Sequence, residues 1–175
     1  HMTDAEILIL RTKLQAETNP AIVAARDARN DTECANLLNA ATASVIWRNN
    51  VTRAEIYHST SDATLAGGTP TTWNWTTYKN QSVPEQGAWT QMFMGESADF
   101  TLPNLRAAVG AIFGAGNAQT SHVAAIAKRF ARKGETYFLT GSATVGSPGV
   151  PTWTGLVSPD DIGKALNNNI TALKA

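Results

Sequence analysis

A mainly α-helical fold, a helical bundle followed by a C-terminal extended arm or short β-hairpin, is the class this 175-residue sequence predicts. Two observations carry the helical part: helix-start signals recur along the first 140 or so residues, and each is followed by apolar residues at steps of three and four. A third carries the arm, because beyond Gly141 the chain turns rich in β-branched residues, Gly and Pro. A helical body is therefore expected over residues 1–141, and an arm with a short helix in it over 142–175, as one domain plus an appendage.

The elements follow in order. "TDAE" sets Thr3 and Glu6 in the capping-box relation ahead of Ile7, Leu8, Leu10 and Leu14, which predicts a helix to about Thr18. Asn19 caps a second helix with Pro20 at its first position. "NDTE" opens a third, carrying Cys34, Leu37, Leu38, Ala41 and Val45 and expected to reach Trp47. Thr52 and Glu55 repeat the capping box before Ile56 and Tyr57. Residues 59–72, "STSDATLAGGTPTT", have no apolar period and read as a loop. Trp73 and Trp75 in "WNWTTYKNQS" fit a strand as well as a helix. Ser82 and Glu85 mark a helix with Trp89, Met92 and Phe93, and "TLPNLRAAVGAIFGAG" another, stopped by Gly114.

The next segment is the most charged. "IAKRFARKGETYFLTGS" gathers Lys128, Arg129, Arg132 and Lys133 into six positions. As a helix it puts Val123, Ile126, Ala127, Phe130, Gly134, Tyr137 and Phe138 on one stripe, with the four cations and Glu135 on the wet side. Packing would fix such a helix and leave the cations free for DNA or a partner surface. "SATVGSPGVPTWTGLV" then reads as two short strands or an extended arm, and "SPDDIGKAL" as a helix capped by Ser158 with Pro159 at its first position. The tail "NNNITALKA" is expected to fray. The core stripes are expected to lie before Gly141.

Composition excludes several classes. Fourteen basic and fourteen acidic residues give no net charge, unlike a dedicated nucleic-acid binder. No apolar run approaches the roughly 18 residues that span a bilayer, and no secretory signal is evident. A soluble chain made in a cytoplasm, with no membrane role, is expected. His1 before Met2 reads as a vector remnant, and the sequons "NVT" and "NIT" carry no weight in such a protein. The lone Cys34 falls on an apolar face and reads as a buried thiol.

Catalytic and metal-ligating residues are expected to be none, and cofactors none. His58 and His122 have no ligand neighbour at metal spacing, and Asp160 and Asp161 are explained by a helix start. "GAGNAQ" lacks the third glycine and the preceding strand of a dinucleotide fingerprint. Trp47, Trp73 and Trp89 read as packing residues. Trp153, with Val150, Leu156 and Val157 around it, reads as an anchor by which the arm docks on a neighbouring chain.

The run "GAWTQMFMGESADFTLPNLRAAVGAIFGAGNAQTSHVAAIAKRFARKGETYFLTG", with "WTGLVSPDDI" and "SVIWRNNVTRAEIY", resembles small structural proteins of tailed bacteriophages and prophages, of the head-tail adaptor (head-completion, connector) kind. These segments lie within residues 44–162, about two-thirds of the chain, and their motifs are of packing and turns. The resemblance implies a non-enzymatic virion protein of the head-tail joint, assembled as a homo-oligomeric ring under the portal, with the portal and neighbouring head-tail proteins as partners. In such a ring the four cations would lie near exiting DNA, contacting phosphate without reading sequence. The alternative is a small phage-encoded nucleic-acid-binding or regulatory protein using the basic face around residues 118–139.

Overall fold

Capping chemistry sets the helix starts in the computed structural model, which describes residues 1–167. Thr3 and Glu6 close a capping box on α1 (Asp4–Gln15), Asn19 caps α2 (Pro20–Asp27) and Asn30 caps α3 (Asp31–Leu38). Capping boxes also start α4 (Arg53–His58), α6 (Val83–Met92) and α10 (Pro159–Leu166). Between these lie α5 (Trp75–Lys79), capped by Asn74, α7 (Pro103–Phe113), ended by Gly114 at φ 97°, α8 (Ala118–Ile126) and the single turn α9 (Lys133–Thr136). A two-stranded antiparallel sheet pairs β1 (Ala41–Trp47) with β2 (Lys128–Arg132). The class is mainly α with a small β component.

Both strands fall where helices were expected. The third helix ends at Leu38 rather than Trp47, and the long helix of residues 118–139 breaks after Ile126 into β2 and α9. Long-range pairing decides both. The Ala127 carbonyl accepts from Arg48 N–H at 2.8 Å, the Ala40 carbonyl from Lys133 N–H at 2.9 Å, and the Ala131 carbonyl from the Thr42 hydroxyl at 2.8 Å. The Arg48 guanidinium also donates to the terminal α8 carbonyl of Ile126 at 3.1 Å, closing that helix end. Thr42, Val45 and Ile46 are β-branched residues that suit a pleated strand better than a helix.

The chain forms two compact units, each discontinuous in sequence. The first comprises residues 1–44, 130–141 and 151 onward, and the second residues 45–129 and 142–150. This differs from a body over 1–141 with an arm over 142–175. In the first unit α1 and α3 pack on α10, α2 on α3 and α9 on α3. Its core contains Ile7, Leu10, Leu14, Ile22, Cys34, Leu38, Tyr137, Phe138, Val157, Ile162 and Ala165. Core residues thus lie on both sides of Gly141, contrary to expectation.

In the second unit α6 and α8 pack on α7, and α4 on α8. Val51, Ile56, Trp89, Phe93, Phe100, Val109, Ile112, Phe113, Val123 and Ile126 make the core, with Trp73 stacked on Trp89 at a centroid distance of 5.3 Å. Each buried side chain of this size contributes roughly 1.5–3 kcal/mol, so packing outweighs local propensity. The segment from Ser142 to Val150 lies along β1: Val45 N–H donates to the Ala143 carbonyl at 3.2 Å, Trp47 N–H to Gly149 at 3.0 Å, and Gly149 N–H returns to Val45 at 2.9 Å. The segment expected as an extended arm or short β-hairpin holds no named strand among the described residues and meets β1 in one isolated bridge, Ile46 to Gly149. Of the tail expected to fray, residues 168–175 lie outside the described residues.

Candidate functional site

The basic stretch does not share one face. Within a strand successive side chains point to opposite sides, so β2 separates Lys128 from Arg129, and Arg132 and Lys133 belong to the first unit while Lys128 and Arg129 belong to the second. All four are half-buried. In the first unit Arg132 Nη1 lies 3.2 Å from Glu135 Oε1, and Lys133 Nζ 3.2 Å from Glu17 Oε2. In the second, Lys128 Nζ donates to the Val145 carbonyl at 2.9 Å and lies 5.5 Å from the centre of the Trp47 ring. Arg129 is also engaged with the rest of the protein. The expected free basic helix face is not present, because strand pairing replaced the helix.

Two carboxylates organise the first unit, and neither was singled out by the sequence. Glu135 is fully buried, where a wet side was expected. It accepts from Arg132 N–H at 2.8 Å, a reach of three residues that the "RKGE" spacing carries as a helix-start signal. Glu17 accepts from the Tyr137 hydroxyl, Lys133 and the Thr18 and Asn19 amides. Burial raises the Glu17 pKa, but these hydrogen bonds outweigh it and hold the carboxyl at about 2. The same burial and the Glu17 charge push the Tyr137 phenol up. No local period could reveal Glu17, which lies 120 residues from Tyr137.

The expected docking residues divide. Trp153 packs on Phe138 of its own unit, ring centres 5.2 Å apart, and Val157 is a core residue. An anchor held this way serves its own chain first. Val150 and Leu156 remain exposed, at 45% and 63%. A further apolar surface lies on α6: Val83 is 84% exposed and Met94, just past the helix, 82%. Pro84, Gly87, Ala88, Thr90 and Gln91 are exposed between them, so that face carries no charge.

Among the residues considered for chemistry, Cys34 is buried, and its thiol is pushed up first by desolvation and then by Asp31. His122 is fully buried between the Ile56 carbonyl, 2.8 Å from Nε2, and the Thr71 hydroxyl, 2.9 Å from Nδ1. Asp160 pairs with Lys164, and Asp161 caps α10 through Ser158. Among the described residues no three His, Cys, Asp or Glu side chains converge, and no helix is long and apolar enough to cross a membrane. No family model matches the sequence, and no curated protein or solved structure is found to be similar to it.

Proposed function

We propose that this chain is a non-enzymatic virion protein of the head-tail joint of a tailed phage, an adaptor whose helical bundles pack side by side in a ring beneath the portal. The observation that carries this reading is the uncharged outer face of α6, with Val83 and Met94 exposed above 80%. Large apolar side chains left in water at both ends of one helix suit a contact with another protein surface. Leu156 in the first unit and Val150 in the second are each a further exposed apolar side chain in the stretch expected to dock. The sequence resemblance supplies the identity of the assembly. The nucleic-acid reading has less support, since Arg132 and Lys133 are each paired with a carboxylate of the chain's own.

Negative-stain microscopy of the purified protein mixed with the portal encoded in the same genome tests the proposal. Ring density on the portal is the expected result, and a double variant, Val83→Lys with Met94→Lys, keeps its melting temperature but no longer forms that ring. A chain that stays monomeric with the portal, or a genome without capsid and portal genes beside this one, overturns the reading.

A further inference from the structure

We propose that the second unit holds a binding site for a compact organic anion, an acidic head on a short apolar body, in the cavity walled by Leu65, Gly67, Ser121, Ala124, Lys128 and Val145. The cavity measures about 240 Å³. A single water needs about 10–15 Å³, so there is room for several waters or a ligand of a few non-hydrogen atoms.

The chemistry of the wall is that of a donor set beside apolar carbon. An ammonium has three N–H donors, and the Val145 carbonyl at 2.9 Å accepts one of those of Lys128. Among the described residues no carboxylate forms a hydrogen bond or ion pair with this group. Asp62, the acid nearest in sequence to the Leu65 wall, is committed to its own turn, accepting from the amides of Thr64 and Leu65 at 2.8 and 3.2 Å. The Ser121 side chain is exposed on α8. The turn opposite is closed by Thr144 N–H on the Ser147 carbonyl and Ser147 N–H on the Thr144 hydroxyl, both at 3.0 Å. Its tip amides, Val145 and Gly146, donate to no protein acceptor among the described residues.

Partly withdrawing an ammonium from water without a counter-charge costs free energy, and an anion seated against it offsets part of that cost. Burial accordingly draws the Lys128 ammonium below the usual lysine range. Leu65, Ala124 and Val145 supply the apolar wall, which favours an anion with a few methylenes over a bare inorganic one. This site is independent of the ring reading, because it needs no partner chain.

The test is a titration of the isotope-labelled full chain with butyrate, inorganic phosphate and butanol, followed by amide chemical shifts at fixed pH and ionic strength. Saturable shifts at Lys128, Val145 and Gly146 are expected with butyrate, with phosphate and butanol weaker by about ten-fold or more, since each lacks either the body or the charge-assisted hydrogen bond. Lys128→Gln weakens butyrate by about ten-fold. Ser121→Leu, made on an exposed helix position so that the fold is kept, fills the cavity and abolishes the shifts while Lys128 is intact. No saturation with butyrate, equal binding of butanol or phosphate, or undiminished binding by either variant overturns the site.

Discussion

The Glu135 carboxylate accepts a hydrogen bond from the Gly155 amide at 3.0 Å, tying the segment after residue 150 to α9 within the first unit. The same buried carboxylate faces Arg132 at 3.2 Å. Glu135→Gln removes the charge that holds both, and a buried group left without its partner costs about 1–3 kcal/mol. A lower urea midpoint with an unchanged slope, together with faster hydrogen exchange at Gly155, is expected. An unchanged exchange rate at Gly155 shows that Glu135 does not hold the segment.

The Glu17 carboxyl is held at about 2 against an ordinary 4.5. A depressed pKa means that the unfolded chain takes up the proton first, so the stabilisation is full above pH 4.5 and is lost as pH falls toward 2. Unfolding free energy measured across that window falls in the wild type. Glu17→Gln lowers stability at neutral pH and flattens the slope, and a slope equal to that of the wild type contradicts the assignment.

Gly134 sits where chain backbones approach closely. A Cβ built there lies 2.7 Å from Val157 Cγ2 and 3.3 Å from the Leu38 carbonyl oxygen. Gly134→Ala is expected to cost about 1–3 kcal/mol, the usual range for overpacking. Adding Val157→Ala opens the space that the new methyl needs, so the double variant is more stable than the sum of the two single changes predicts. Strict additivity in that cycle shows that the two residues do not press on one another.

His122 Nε2 donates to the Ile56 carbonyl, because a carbonyl can only accept, and the Thr71 hydroxyl faces Nδ1 and the Ser61 hydroxyl, the latter at 2.7 Å. This chain of groups ties the loop around residue 71 to α8 in the second unit. His122→Phe leaves the Ile56 carbonyl without its donor, at about 1–3 kcal/mol. Thr71→Val costs less, since it keeps that bond. Equal costs for the two variants show that the Ile56 contact carries no special weight.

Val157, Ile162 and Ala165 are core residues of the first unit. Deletion of residues 143–175 is therefore expected to give an unfolded or aggregated protein, measured as loss of the cooperative thermal transition. A truncated chain that melts as sharply as the full protein shows that residues 1–142 hold a core without them.

Helix starts were legible because their causes are local. Thr3 with Glu6, Thr52 with Glu55, Ser82 with Glu85, Asn19 before Pro20, and Ser158 before Pro159 each satisfy free amides within three or so residues, and each heads the helix its spacing predicts. Gly114 likewise ends α7 at a positive φ that L-residues resist. The buried faces of these helices, with Leu10, Leu14, Leu38, Trp89 and Phe113 among them, followed from the spacing of apolar residues.

What only the tertiary structure decided was the use of groups far apart in the chain. Residues 128–138 have a period that fits a helix, yet the backbone of Ala40 and Arg48 offers partners to Lys133 and Ala127, the Thr42 hydroxyl offers one to Ala131, and the strand forms instead. That change carries Lys128 to Trp47 and Val145, and Lys133 to Glu17, so four cations that would have shared a wet face are half-buried. The segment after Gly141, extended as its composition predicts, is bound by β1 and by Glu135 rather than left as a free arm. Local spacing determines where a backbone begins and ends a helix, whereas the fate of a strand or a charge depends on a partner whose position no short window contains.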